Sequence, residues 1–128
     1  MNLLLDTHVF LWWIDGDPLP GPALQALRDT EHTVWLSAAS AWEMTIKASL
    51  GKLRLPDRAA RYVELHRQLN GFGWLPIETS ALDCLETLPL HHRDPFDRLL
   101  IAQAIARDYT LVSADAAFDA YPVKRLWT

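Results

Sequence analysis

Short apolar runs alternate with helical segments along this chain, and that alternation limits the fold more than any other feature. Leu3 to Leu5 reads as a short buried strand, followed by the helical Val9-Phe-Leu-Trp-Trp-Ile. Gly16 to Pro22 is a loop by its Gly and Pro content, with Pro22 suited to the first turn of a helix running to about Asp29. Thr33 to Leu36 is a second strand, and Ser37 caps a helix that stops at Gly51. Pro56-Asp57 opens a helix through about Leu69, closed by Asn70-Gly71. Trp74 to Ile77 is a third strand, and Thr79 or Ser80 caps a helix to Leu88. A polar loop leads to a helix headed by Asp97, then to the strands Leu111-Val-Ser and Lys124-Arg-Leu-Trp. Strands separated by helices of this length require right-handed crossovers, hence an α/β chain whose parallel sheet is covered on both faces.

The 128 residues, half of them hydrophobic, predict one domain over 1–128 with a true core. No apolar run approaches the roughly 20 residues of a membrane-spanning helix. The N-terminus lacks a basic region and carries Asp6 where a secretory signal would be apolar, so a cytoplasmic protein is expected. Cys84 is the single cysteine; it excludes an internal disulfide and a cysteine-ligated zinc site and reads as a small core residue. A formal net charge of −4 gives the molecule no overall attraction for nucleic acid. The charge is uneven, however. Lys47, Lys52, Arg54, Arg58, Arg61 and Arg67 face only Asp57 and Glu64 within residues 47–67, a local basic stretch of the kind that sets phosphate contacts.

Four acids, Asp6, Glu43, Asp97 and Asp115, each fall where a strand ends or a helix begins. Each has an ordinary explanation taken singly. Asp6 and Asp115 are placed to cap helices; Asp94-Pro95-Phe96-Asp97 reads as cap, first-turn proline and dipole-favoured acid; Glu43 precedes Lys47 by four residues, the better orientation for a surface ion pair. Periodicity argues otherwise. Leu100, Ile101, Ala104 and Ile105 lie three, four, seven and eight positions after Asp97, which therefore heads a buried stripe. Glu43 shares a face with Ala39, Ile46 and Leu50, where an unpartnered carboxylate is costly. In an open parallel sheet ligands bind beyond the carboxyl ends of the strands. Carboxylates gathered there repel one another unless a cation joins them, and hard divalent ions such as Mg²⁺ choose such oxygens. The residues point to a metal-dependent hydrolase.

Leu4-Leu-Asp-Thr-His, Ser37-Ala-Ala-Ser-Ala-Trp-Glu, Asp94-Pro-Phe-Asp-Arg-Leu-Leu-Ile-Ala-Gln-Ala and Leu111-Val-Ser-Ala-Asp resemble the four acidic motifs of the PIN-domain nucleases. Their order and spacing, and the chain length, resemble the VapC-type toxins of prokaryotic toxin–antitoxin pairs. The resemblance implies a three-layer α/β/α sandwich around a mainly parallel sheet of about five strands, and Mg²⁺- or Mn²⁺-dependent endonucleolytic cleavage of RNA. It makes Asp6, Glu43 and Asp97 the three core acids and Asp115 the more variable fourth. On this reading Asp6 and Asp97 hold the principal ion, Asp115 completes its shell or holds a second ion, and Glu43 orients or deprotonates the attacking water. Thr7 and Ser113 are expected to donate supporting hydrogen bonds, and Arg98 to steady the carboxylates or meet a phosphate. Lys47, Lys52, Arg54, Arg58 and Arg61 are the expected RNA contacts. The partners implied are RNA, a cognate VapB-like antitoxin, and a second copy in a homodimer or in a heterotetramer or octamer with antitoxin. Operator DNA is reached only through the antitoxin, and no membrane is involved.

Other conspicuous residues read more plainly. His91-His92 precedes the third acidic motif and could touch phosphate or metal, but a surface loop pair is expected; His8 should pack or hydrogen-bond on its helix. Most of the six tryptophans should be core, with Trp12, Trp13 and Trp42 buried in the fold or at a subunit contact. An aspartyl phosphatase would want an acid at His8, a receiver domain an Asp ending the third strand, and a P-loop enzyme a Gly-rich cradle. None is present. The remaining alternative is a catalytically silent PIN-fold binding module acting with an antitoxin as a repressor subunit.

Overall fold

The computed structural model describes residues 1–128. The elements run β1 (Asn2–Leu5), α1 (Thr7–Asp15), α2 (Gly21–Arg28), β2 (Thr33–Ser37), α3 (Ala38–Ser49), α4 (Ala59–Leu69), β3 (Gly73–Leu75), α5 (Thr79–Thr87), α6 (Pro95–Arg107), β4 (Thr110–Val112), a 3₁₀ turn (Ala116–Ala120) and β5 (Lys124–Leu126). All five strands pair in parallel, in the order β3-β2-β1-β4-β5. This is the α/β/α sandwich that the alternating sequence predicts. The chain leaves β1 toward one edge of the sheet and returns to its other side at β4, so the strand order reverses between β1 and β4. Ligand crevices form at such a reversal.

Adjacent strand residues point to opposite faces, and this separates the two cores. Leu3 and Leu5 join Val9, Phe10, Ala23, Leu27, Met44 and Val63 beneath α1, α2 and α4. Leu4 joins Leu100, Ile101, Ala104, Leu111 and Phe118 against α6. Truncating a fully buried leucine such as Leu4 to alanine should cost about 2–5 kcal/mol, by lost burial and the cavity left behind.

Local chemistry ends the helices as their sequences suggest. The Ser37 hydroxyl accepts the Ala39 amide, and the Asp94 carboxylate accepts those of Phe96 and Asp97 with Pro95 at the first helical position. Gly16 closes α1 at φ 74°, a left-handed conformation that suits glycine. Gly73 has a different reason. A Cβ there would approach the Trp35 ring to 2.6 Å, while Trp35 itself stacks on Tyr109.

Several sequence expectations shift. α4 begins at Ala59 with Arg58 preceding it, two or three residues later than Pro56-Asp57 suggested. β3 is Gly73–Leu75 rather than Trp74 to Ile77, because pairing with Trp35, Leu36 and Ser37 of β2 sets its register. Thr79 already lies inside α5, and Glu78 precedes it without a capping side-chain bond. None of the six tryptophans is fully buried: Trp42 and Trp74 are exposed, and Trp12, Trp13, Trp35 and Trp127 are half-buried against the margins of the two cores. Cys84 is half-buried rather than core. No helix is long and apolar enough to cross a membrane.

Candidate active site

Asp6 follows β1 and lies in the sheet's interior edge, its amide donating to the Val112 carbonyl of the neighbouring strand. It stands at the N-cap position of α1 without a well-formed side-chain cap, although the nearby His8 amide favours its charged form. The Ser113 hydroxyl, just past β4, donates to Asp6 Oδ2 at 2.7 Å and accepts the Asp115 amide at 3.1 Å. One hydroxyl thus ties the acids after the two central strands together, as expected of Ser113. Asp115 does cap the following turn: Oδ1 accepts the Ala117 amide, which leaves Oδ2 directed elsewhere. Thr7 is buried, but its hydroxyl donates to Ser40 Oγ at 2.8 Å rather than to a carboxylate. It therefore fixes α1 to α3 and acts on the acids only through the backbone.

Glu43 comes to the same place on α3. The buried face of that helix is Ala39, Ser40, Glu43 and Met44; Leu50, expected on the stripe, is exposed beyond the helix end. Lys47 Nζ donates to Glu43 Oε2 at 2.8 Å, so the sequence-local ion pair forms, yet Glu43 retains only 3 % side-chain exposure. The ammonium thus ties Lys47, whose side chain is still 39 % exposed, to the acidic cleft. Its ammonium is held protonated by the Glu43 hydrogen bond and then by the Glu43, Asp94 and Asp97 charges.

Asp97 projects from the first turn of α6 above the fully buried Leu100 and Ile101. Burial, then the charges of Asp6, Asp94, Glu43 and Asp115, push its carboxyl up to about 8. Asp6 is also raised, by burial first, with the Ser113 hydrogen bond opposing. Burial makes both Asp6 and Asp97 expensive to ionise, and the neighbouring carboxylates add to it.

Two atoms show what such a site lacks. Asp6 Oδ1 and Glu43 Oε1 are buried without a hydrogen-bond partner. An orphaned buried acceptor costs about 1–3 kcal/mol, and more when charged. Lys47 and Ser113 satisfy the opposite oxygens of these same carboxylates, so the unpaired ones are spare ligand positions. An oxygen-rich set of carboxylates fits a hard divalent ion such as Mg²⁺ or Mn²⁺.

His92 is the residue that sequence reading undervalued. Its Nε2 lies 3.4 Å from Asp97 Oδ2 and 3.4 Å from Asp115 Oδ2, facing the cleft, while only His91 is exposed as expected. The signal available in the sequence was its position two residues before the cap Asp94. Arg98, by contrast, turns away from the acids. Its guanidinium donates to the Leu88 and Pro89 carbonyls and to the Tyr121 hydroxyl, because those loop acceptors lie nearer than any carboxylate. Lys52, Arg54, Arg58 and Arg61 are all exposed and form no ion pair. Arg54 and Arg58 line a groove with Thr45 and Ala48, which lie on α3, the helix that carries Glu43. Arg67 instead pairs with Glu64.

A PIN domain family model matches residues 3–124, and the chain belongs to that family. Its fold is shared by solved toxin–antitoxin complexes. A structure of VapBC2 from Rickettsia felis bound to a DNA fragment from their promoter matches with TM-score 0.74 at 17 % identity, covering 98 % of this chain and 97 % of that one. DNA-bound VapBC from Salmonella typhimurium matches with TM-score 0.73 at 18 % identity, over 98 % and 96 %. FitAcB from Neisseria gonorrhoeae matches with TM-score 0.62 at 21 % identity, over 96 % and 95 %. No curated protein matches the chain by sequence.

Proposed function

We propose that this chain is a Mg²⁺- or Mn²⁺-dependent endoribonuclease and the toxin half of a VapBC-type toxin–antitoxin pair, active in the cytoplasm. The observation that carries the reading is the pair of buried, unpartnered oxygens, Asp6 Oδ1 and Glu43 Oε1, beside Asp97, which burial and then the neighbouring carboxylates push up to about 8. Membership of the PIN family supports the nuclease class.

When bound, the ion supplies Lewis acidity to a water and to the phosphate oxygens. Asp6 and Asp97 would be its principal ligands, with Asp115 Oδ2 completing the shell or serving a second ion. Glu43 orients the attacking water and accepts its proton at Oε1, since Lys47 occupies Oε2. Ser113 keeps Asp6 and Asp115 in register. Lys52, Arg54, Arg58 and Arg61 attract the RNA backbone through a surface with no competing acids paired to it.

The fold-level likeness to VapBC and FitAB complexes supports a VapB-like antitoxin as partner, a homodimer or larger assembly with it, and operator DNA contacted through the antitoxin. An antitoxin Arg or Lys entering among the four carboxylates would satisfy the same orphaned oxygens as the cation. Antitoxin and Mn²⁺ are therefore expected to compete, and equal Mn²⁺ affinity in the free toxin and the complex would exclude this mode.

The direct test is cleavage of cellular RNA by the purified protein with Mg²⁺, with Mn²⁺ and with chelator. Cutting that requires the metal and disappears in a folded Asp97→Asn protein is the expected result. No cutting under any divalent ion would return the chain to the class of silent binding modules.

A further inference from the structure

His92, Asp97 and Asp115 present one donor atom each within 4.8 Å of one another, an arrangement that invites reading His92 as a metal ligand. The hydrogen bond on the other side of the ring argues against it. The Asp94 amide donates to His92 Nδ1 at 3.1 Å. An N–H already occupies the Nδ1 lone pair, so the ring proton sits on Nε2, the atom that faces Asp97 and Asp115. A metal-ligating histidine has the reverse pattern: it coordinates through one nitrogen and donates from the other to a carboxylate, carbonyl or water. Here coordination through Nε2 would move the proton to Nδ1 and set two N–H groups against each other.

The loop around His92 is built to keep this orientation. The Tyr121 hydroxyl accepts the amides of both His91 and His92, at 2.9 and 2.8 Å. Arg98 donates to Tyr121 and to the Leu88 and Pro89 carbonyls, fastening the same loop to α6. The His92 ring also packs edge-on against the fully buried Phe118 at 5.7 Å. The four supports come from α6, the 3₁₀ turn, the residue just after that turn and the loop itself, and together they aim the Nε2–H at Asp115, with Asp97 Oδ2 3.4 Å away.

We infer that His92 is a positioning residue that donates from Nε2 to Asp115 with Asp97 Oδ2 3.4 Å away, bracing these two acids while its imidazole stays outside the metal's ligand shell. This rests on the metal-dependent reading above and deepens it. The cleft then has two poles. At the inner one, the orphaned Asp6 Oδ1 would take the cation with Asp97, and the orphaned Glu43 Oε1 would hold the water. At the outer one, the His92 N–H sets the separation of Asp97 and Asp115, oxygens that would otherwise repel.

The tautomer is read without metal, from the ring-nitrogen NMR shifts of His92 in the metal-free protein: Nε2 protonated and Nδ1 bare is expected, and the opposite tautomer overturns the proposal. Mn²⁺ then reads the positioning role. Wild type should show no directly coordinated imidazole nitrogen by spin-echo modulation, whereas a coupled imidazole that vanishes in His92→Gln would make His92 a ligand. His92→Ala should weaken Mn²⁺ binding by about tenfold, the usual effect of losing such a support. His92→Gln, whose amide nitrogen can stand where Nε2 stands, should recover most of that affinity. Unchanged affinity in a folded His92→Ala protein, or no recovery in His92→Gln, overturns the role. A wild type that binds no Mn²⁺ refutes the metal-dependent reading instead, and the metal-free NMR result separates the two failures.

Discussion

The acidic cleft and the basic stretch of residues 52–61 carry charge in opposite ways. In the cleft, Asp6 and Glu43 are buried and Asp97 half-buried; Ser113 donates to Asp6, Lys47 donates to Glu43, and the Asp94 carboxylate accepts the Asp97 amide. In the basic stretch, Lys52, Arg54, Arg58 and Arg61 point into solvent with no ionic partner. Burial makes each cleft charge costly, so each must have a specified neighbour and small displacements matter. Exposed charges are cheap and interchangeable, suited to a backbone read without base specificity. The first region should respond to substitution steeply and individually, the second weakly and in sum.

The largest effect should come from Asp97→Asn and Asp6→Asn, each lowering cleavage by about 10³-fold or more while the protein stays folded. A folded Asp97→Asn protein that cuts RNA at the wild-type rate would erase the distinction between the two regions.

Stability in chelator comes next. The folded-state pKa of Asp97, about 8, lies above its ordinary 3.8, so the native state holds this proton more tightly than the unfolded chain. The stabilisation is complete below about pH 4 and is lost as pH rises through about 8, with a slope of at most about 1.4 kcal/mol per pH unit for one proton. Metal-free wild type should therefore melt lower at pH 8 than at pH 6, and Asp97→Asn should lose much less over that interval and melt above wild type at pH 8. Mn²⁺ should raise the wild-type Tm and barely move the mutant's. A flat wild-type profile, untouched by metal, would show that the acids are not a clustered cation site.

Lys47 lies on the border between the regions and sharpens the contrast. Sequence groups it with the basic stretch; structure attaches it to Glu43. Lys47→Met should lower the cleavage rate of bound RNA by about tenfold, as expected for a group that orients a catalytic carboxylate, and leave the salt dependence of RNA binding nearly unchanged. A lost phosphate contact without a rate effect would return it to the basic stretch.

The smallest effect belongs to Arg58→Ala with Arg61→Ala. Affinity for single-stranded RNA should fall several-fold, and the log–log salt slope should lessen by about 0.7 for each phosphate contact removed. Equal slopes in mutant and wild type would leave these arginines as ordinary solvating charges.

How legible all this was in the sequence follows from the range of the forces involved. The alternation of apolar runs with helical periods gave the parallel α/β architecture and the Asp94-Pro95 helix start, because periodicity and caps act over a few residues. It also placed Asp97 at the head of a buried stripe, since Leu100, Ile101 and Ala104 are on one helical face whatever packs against it. The same periodicity misled at Leu50, which the helix end leaves in solvent, and residue type misled at the tryptophans. Ser113, Tyr121 and Arg98 received their partners from residues more than nine positions away or from loop carbonyls that no spacing rule names.

The sequence by itself determined the order of strands and helices, the placement of four acids at their junctions, and a basic stretch nearly free of acids. Only the tertiary structure decided which oxygen of each acid is spare, that Lys47 belongs to the cleft, that Arg98 serves the loop, and that His92 faces Asp97 and Asp115 with its proton on Nε2. The reason is that local sequence fixes backbone conformation and side-chain periodicity, whereas a hydrogen-bond partner or a pKa depends on distances between segments that meet only when the sheet brings β1, α3, α6 and β4 together.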